Sequence, residues 1–578
     1  MRFRQLVANH RWAIILAFVA SIIVASPQVL FRIDHAHDGV YQGIELLPDA
    51  PWSPRVREVM DGHGFGSVYY KDGKDNPYLF QPLGSMTVAY MGKAFGLDIN
   101  NTFLLSRVLL TFIVFLLIYG FVFLISRDKL AALVGASVFL LADAALSLSG
   151  LKQVLHGVPA NFLPIDFPVN PAMIYALLFG FLISFWLFYQ RRDWRFGVLS
   201  AILLGLNFYN YFYSWTYLYA FGGLVVLWYL VRRDWKESLR IGSVFAGALL
   251  VAIPYFINLY HASQYPTYAD VGMRLGIIGT HAPFFVGMLV ILALVVFWFG
   301  FPREDGKRRI FGFALLLAPF ITMNQQLLTG KEMQAAHYHW YFHKPIAILL
   351  VVVTLFYLIS KMKVGWYRRA LAVLMIAASF ALGTFTQVAS YAYGKADGGS
   401  VLIERQKYGP VMAWLNQNAE NEAVVLADDP ISYAVTVYTP LNVFYHRAAM
   451  LTLPATEERL LDTLFTFYRL RGVGKSDARS VFYAEREYIS ANIYGIYYRQ
   501  FAGSYDAIPD EKLDYFIARY QATLDAPAAQ WLKQKLEQYE VNYVVWDKKA
   551  DPDWQLQKYP FFKEAAILGD IVIYRVTL

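Results

Sequence analysis

Apolar runs long enough to cross a bilayer recur along the first 394 residues, and they constrain the fold more than any other feature. A helix of roughly 20 apolar residues is stable in hydrocarbon because all its backbone hydrogen bonds are internal. The runs are Trp12–Leu30, Phe103–Ser126, Leu130–Ser149, Pro171–Gln190, Leu239–Leu259, Pro283–Phe301, Ile310–Gln325, Pro345–Ser360 and Ala370–Tyr393. Phe196–Val231 exceeds one span, and its polar middle (Asn207, Asn210, Ser214) divides it into a hairpin of two. The expectation is a mainly α, polytopic bundle of about eleven transmembrane helices. Composition agrees: 57% hydrophobic and 16% charged residues exclude both a water-soluble globule and a disordered chain. The N-terminal run is too long for a signal peptide, and Pro27 follows its only small-residue cleavage site, so it is expected to stay as the first span. With no cysteine, disulfides, thiolate metal sites and Cys nucleophiles are absent.

The net charge of +8 is a topology signal rather than a nucleic-acid footprint. Arg191-Arg192, Arg232-Arg233, Arg303 with Lys307-Arg308-Arg309, Lys361 with Lys363, and Arg368-Arg369 fall in alternate loops. With Arg127, Lys129 and the N-terminal arginines, those loops hold about twenty Lys/Arg, against about four on the other side. The N-terminus is therefore expected in the cytoplasm, and an odd number of spans puts the C-terminus outside the inner (plasma) membrane. Two long segments then lie outside: a first loop, 31–102, and a soluble α/β domain, 395–578, following the membrane domain 1–394. In the tail, Val424–Ala427 and Val541–Trp546 are strand-like and Trp531–Tyr539 is helix-like. Gly569-Asp570 marks a hairpin turn, and Lys395–Ser400 is a credible linker.

Chemistry on this chain needs acids, bases or cations at the outer surface. The first loop carries Asp34, His35, His37, Asp38, Glu45, Asp49 and Asp61. Asp34-His35-Ala-His37-Asp38 offers ligand types for Zn²⁺ or Mn²⁺, so a divalent metal is one reading; plain exposed loop is the commoner one. A later loop, Asn324–Lys344, concentrates Lys331, His337, His339, His343 and Lys344. Asp143 falls within the third apolar run, and an ionisable group at membrane depth is a functional candidate by default. Tyr209, Tyr211, Tyr213, Trp215 and Tyr217 suit a sugar-stacking wall, but an interfacial aromatic belt accounts for them without a ligand.

The order of features in the first loop is more specific. Asp49 precedes a short amphipathic helix around Arg55-Val-Arg57-Glu58-Val-Met60. Asp61-Gly-His63, Tyr69-Tyr70 and Asn76-Pro-Tyr-Leu-Phe80-Gln-Pro82-Leu83 follow, and then an apolar helix ends at Phe95-Gly96. This layout resembles the GT-C superfamily of polytopic glycosyltransferases, in particular the aminoarabinose-transferase and protein O-mannosyltransferase-like branch. Two positions depart from the pattern: the acidic pair reads Pro48-Asp49, and Gln81-Pro82 stands where Lys-Pro is usual. The resemblance implies transfer of a sugar from a lipid-linked, polyprenyl-phosphate donor to a glycan, lipid or protein acceptor at the outer membrane surface. A carboxylate would take the acceptor proton while cations stabilise the departing phosphate. Asp49 falls on the family's acid and is the first choice as base, with Asp38 second. Arg274, Lys331 and His337 are candidates for the phosphate, helped by Arg55 or Arg57, with Asp143 a further substrate-binding candidate.

Two other classes compete. A flippase or transporter for a lipid-linked substrate usually shows internal repeats and polar groups near the midplane. Here the polar groups cluster at the outer face instead. A catalytically inactive envelope scaffold is the third reading, kept open by the missing second acid.

Overall fold

In the computed structural model the described residues are 2–37, 39–45, 52–146, 148–157, 162–284, 286–361, 365–396, 399–495 and 508–578. Seven helices are long and apolar enough to cross a membrane: Arg11–Ala36, Ile99–Ser126, Pro168–Arg191, Phe212–Val231, Gly306–Thr329, Ala335–Ser360 and Gly365–Ala392. An eighth crossing is the pair Trp235–Val251 and Ile253–Ser263, bent by 52°. Three shorter apolar helices, Lys129–Leu141, Trp194–Phe208 and Met288–Gly300, stand where further spans were expected, so among the described residues eight crossings, not eleven, have spanning length. The protein is a multi-pass membrane protein. Its bundle turns large apolar side chains such as Phe18, Ile22, Leu292 and Phe299 outward, a surface that only lipid can cover.

The bend in the eighth crossing has a local cause. Pro254 has no N–H to donate into the preceding turn. The Tyr209 hydroxyl serves the interrupted ladder, donating to the Val251 carbonyl at 2.9 Å and accepting from the Tyr255 N–H at 3.2 Å. The broken span is thus closed by protein groups.

Two spans are shorter than hydropathy suggests. The third stops at Leu141, and Asp143–Leu146 forms a 3-10 turn beyond it, so Asp143 stands outside the span instead of within it. The helix expected from Pro283 begins only at Met288. Gly287 caps it where a Cβ would meet the His339 ring at 2.6 Å, so a close backbone approach decides that boundary.

The C-terminal domain is built on a mixed sheet of β3 (Val424–Leu426), β4 (Asn442–Val443), β5 (Val541–Asp547), β6 (Phe562–Leu568) and β7 (Ile571–Val576). Its order is β4-β3-β5-β7-β6, with β3 parallel to β4 and β5, and β7 antiparallel to β5 and β6. Gly569-Asp570 turns the β6–β7 hairpin. Outside it, β1 (Ile277–Gly279) pairs antiparallel with β2 (Lys331–Met333). The last span runs on as helix to Ala396, and Gly399–Arg405 leads into the domain; residues 397–398 of the expected linker lie outside the described residues.

The first loop belongs to this domain as much as to the membrane. Ile44, Val68, Tyr69 and Tyr70 lie inside the domain's hydrophobic core. The Val443 N–H donates to the Tyr69 carbonyl at 2.8 Å, Arg459 lies 3.5 Å over the Tyr70 ring, and Arg459 pairs with Asp72 at 2.6 Å. The loop helix Ser53–Asp61, opened by Pro54 and closed by left-handed Gly62, packs on the domain helix Asp429–Tyr438. A second loop helix, Leu83–Phe95, leads to the second span.

Candidate active site

Asp49 and Asp38, the expected bases, lie outside the described residues. The other candidates fall into three groups. Arg55 is buried at the seam between the first loop and the domain. Its guanidinium sits 4.2 Å from the Phe80 ring centre and 5.5 Å from that of Trp52. Burial pulls its pKa down to about 10, opposed by the Tyr69 phenol, so it stays charged at neutral pH. Among the described residues no carboxylate forms an ion pair with it. A buried cation of this kind is costly unless an anion compensates it. Arg57, on the same helix, is already engaged with Asp61 at 2.7 Å.

Arg274 has a different role from the expected one. It is as buried as Arg55, but it donates to the carbonyls of Met450 (3.1 Å) and Ala455 (2.8 Å), so it braces the domain onto the bundle. Lys331 is exposed at the start of β2. His337 is half-buried, hydrogen-bonded to the Tyr211 hydroxyl and stacked on Tyr213 with ring centres 4.8 Å apart. Asp143 pairs with the buried Lys344 at 2.7 Å, and Lys344 also lies over Trp340. Among the described residues no three His, Asp or Glu side chains gather in a metal-holding group.

The structure adds a chain of polar side chains that sequence reasoning missed. Glu45 is buried and accepts from Gln28, from Tyr41 and from Arg32 (2.5 and 3.1 Å). Gln28 accepts in turn from Arg107, whose Nε donates to the Asp166 carbonyl at 3.1 Å and lies 3.4 Å from its carboxylate. Arg32, Glu45, Gln28, Arg107 and Asp166 therefore form one connected path at the bundle's domain end. Burial raises the Asp166 carboxyl to about 7, against the opposing pull of Arg107. A carboxyl titrating near neutrality is suited to proton transfer. The signal was present: Gln28 and Arg107 are polar groups inside apolar spans, which calls for a partner at depth.

Beside the seam the domain holds a cavity of about 500 Å³. Tyr445, Tyr488 and Trp554 line it together with Asp428, Asp429 and Asp551. Burial raises Asp428 to about 7 and Asp551 to about 6, helped by the neighbouring acids. A side-chain path joins it to Arg55: Tyr69 stacks on His446 at 4.7 Å, and His446 lies 4.0 Å from Asp429.

No family model matches the chain, and no curated protein matches it by sequence. Among solved structures, the mycobacterial arabinofuranosyltransferase AftD superposes over 98% of this chain and 40% of its own, with a TM-score of 0.50 and 13% identity. The chain shares the overall fold of that structure. At that identity the likeness concerns architecture alone. Two structures of ArnT from Cupriavidus metallidurans align with 98% of both chains. The one bound to undecaprenyl phosphate has a TM-score of 0.47 at 13% identity, and the apo state 0.48 at 12%. The Arg55 seam, the Glu45–Asp166 path and the acid-lined cavity share the domain end of the bundle.

Proposed function

We propose that the protein is a glycosyltransferase that moves a sugar from a polyprenyl-phosphate donor to an acceptor at the membrane face beneath its C-terminal domain. The observation that carries this reading is Arg55, a buried guanidinium without a paired acid among the described residues, set at the loop–domain seam of a GT-C fold. Its planar fork suits a phosphate. As the acceptor hydroxyl or amine attacks the anomeric carbon, the bond from that carbon to the phosphate oxygen breaks. The oxygen leaves with the electron pair, and Arg55 stabilises the charge that forms. A carboxylate takes the acceptor proton; Asp49 is the first choice and Asp38 the second, with Asp166 the strongest base candidate among described residues. The cavity at Asp429 and Trp554 then receives the acceptor, whether glycan, lipid or protein.

The test is transfer from a polyprenyl-phosphate sugar by the full chain in detergent. Asp49→Asn is expected to lower the rate by about 10²–10⁴, and Arg55→Ala by about 10²–10³, at unchanged chain level. Retention of parental transfer by either variant removes that residue from its role.

The same reading places the N-terminus in the cytoplasm of an inner-membrane protein, on the strength of the basic end opposite the domain. The cysteine-free chain makes this easy to check. Leu578→Cys should react with a membrane-impermeant maleimide in intact cells, and Lys236→Cys only after permeabilisation. The reverse pattern inverts the topology.

A further inference from the structure

The end of the bundle away from the domain holds a second cavity, about 290 Å³, that the proposed transfer does not use. The ends of the second span, of Met288–Gly300 and of Ala335–Ser360 border it, with the beginnings of Gly306–Thr329 and Gly365–Ala392. Its lining divides by chemistry. Ile125, Phe301 and Phe356 give an apolar wall, and Arg127, Arg308 and Arg368 supply three guanidiniums.

The acids at hand are already committed. Asp128 caps Lys129–Leu141 through the Leu130 N–H and pairs with Arg368. Asp305 caps Gly306–Thr322 through the Arg308 N–H and pairs with the Arg308 Nη1 at 2.7 Å. Even so, Arg308 is only 8% exposed and its buried Nε finds no partner, as does the Nε of Arg368. Arg127 forms no ion pair among the described residues and stands close enough to repel Arg308. Arg308 is the desolvated member of the three, Arg127 is exposed, and with the spare Nε groups of Arg308 and Arg368 the cluster carries more positive charge and more donors than its two aspartates satisfy.

We infer that this cavity binds the phosphate of an anionic membrane lipid, whose hydrocarbon chain lies along the Phe301–Phe356 wall. The arginine forks match phosphate oxygens, and the apolar wall at the ends of the spans selects a lipid over free phosphate. The inference goes beyond the proposed function and stands independently of it, because it concerns the opposite end of the bundle and its readout is binding.

The experiment is native mass spectrometry of the full chain in neutral detergent, with dioleoyl-phosphatidylglycerol, dioleoyl-phosphatidylcholine or inorganic phosphate added. The phosphatidylglycerol adduct is expected to be retained in clear preference to phosphatidylcholine. Arg127→Gln should weaken that preference about fivefold, the order expected for one arginine near a lipid phosphate. Arg127 bears no ion pair that folding needs, so this variant keeps the measurement interpretable; Arg368→Gln, a second variant, should act in the same direction. Equal retention of the two lipids overturns the inference, as does a preference that survives Arg127→Gln. Displacement of phosphatidylglycerol by millimolar inorganic phosphate would mark a free-phosphate site and overturns the lipid assignment.

Discussion

The two ends of the helix bundle use the same residue types for different purposes. At the end away from the domain, Asp128, Asp193, Asp234 and Asp305 each accept from a backbone N–H in the first turn of the next helix. Their charge is committed to caps within a few residues in sequence. Arginine is left in excess there, and Arg127, Arg308 and Arg368 line the cavity with one acid, Asp128. At the domain end, Glu45 and Asp166 accept nothing from a helix start. Their partners come from other elements: Arg32 and Gln28 for Glu45, Arg107 for Asp166. An acid held by its own helix spends a lone pair on beginning that helix, although Asp128 and Asp305 also pair with Arg368 and Arg308. An acid held by distant groups ties the loop, the spans and the domain together and can stand where chemistry occurs.

That contrast can be broken directly. Glu45→Ala leaves the buried donors of Gln28, Arg32 and Tyr41 without their acceptor and should cost about 3–5 kcal/mol of stability. Asp193→Ala removes a single cap and should cost about 1 kcal/mol. Thermal unfolding of both variants in one detergent gives the comparison. Equal losses would mean that the long-range network is no more than another set of local contacts.

A pH series sharpens the same point within the domain. Asp428 and Asp551 have folded-state pKa values raised by burial to about 7 and about 6, above an unfolded value near 3.9. Between those limits the native state holds more protons than the unfolded chain, so stability falls as pH rises. The domain should lose on the order of 1–2 kcal/mol from pH 4.5 to pH 7.5, after allowance for solvent screening. Asp428→Asn with Asp551→Asn should flatten this slope; an unchanged slope in the double variant assigns it to other groups.

Residues differ in how far the sequence alone discloses their part. The hairpin at Gly569-Asp570 and most of the spans depend on local pattern and stand where pattern places them, apart from the shortened third run and the helix that begins at Met288. Arg274 and Arg55 show no such difference in sequence, since each is an arginine in an expected outer loop. One meets two carbonyls 176 and 181 residues away, and the other meets two aromatic rings and no acid among the described residues. Gln28 and Arg107 are polar groups within apolar runs, a signal that went unread, and their bridge to Glu45 and Asp166 required the packing of two spans.

The sequence by itself determined that the chain is a multi-pass helical membrane protein with one basic end and a C-terminal α/β domain. Hydrocarbon and the charged interface act on each segment separately, so segment composition is enough. Only the tertiary structure decided that the first loop joins the tail's core through Val68, Tyr69 and Tyr70, and that Asp143 stands beyond its span. It also decided which buried arginines lack an anion. Those outcomes depend on which groups from distant parts of the chain become neighbours once water is excluded, and no local pattern records that.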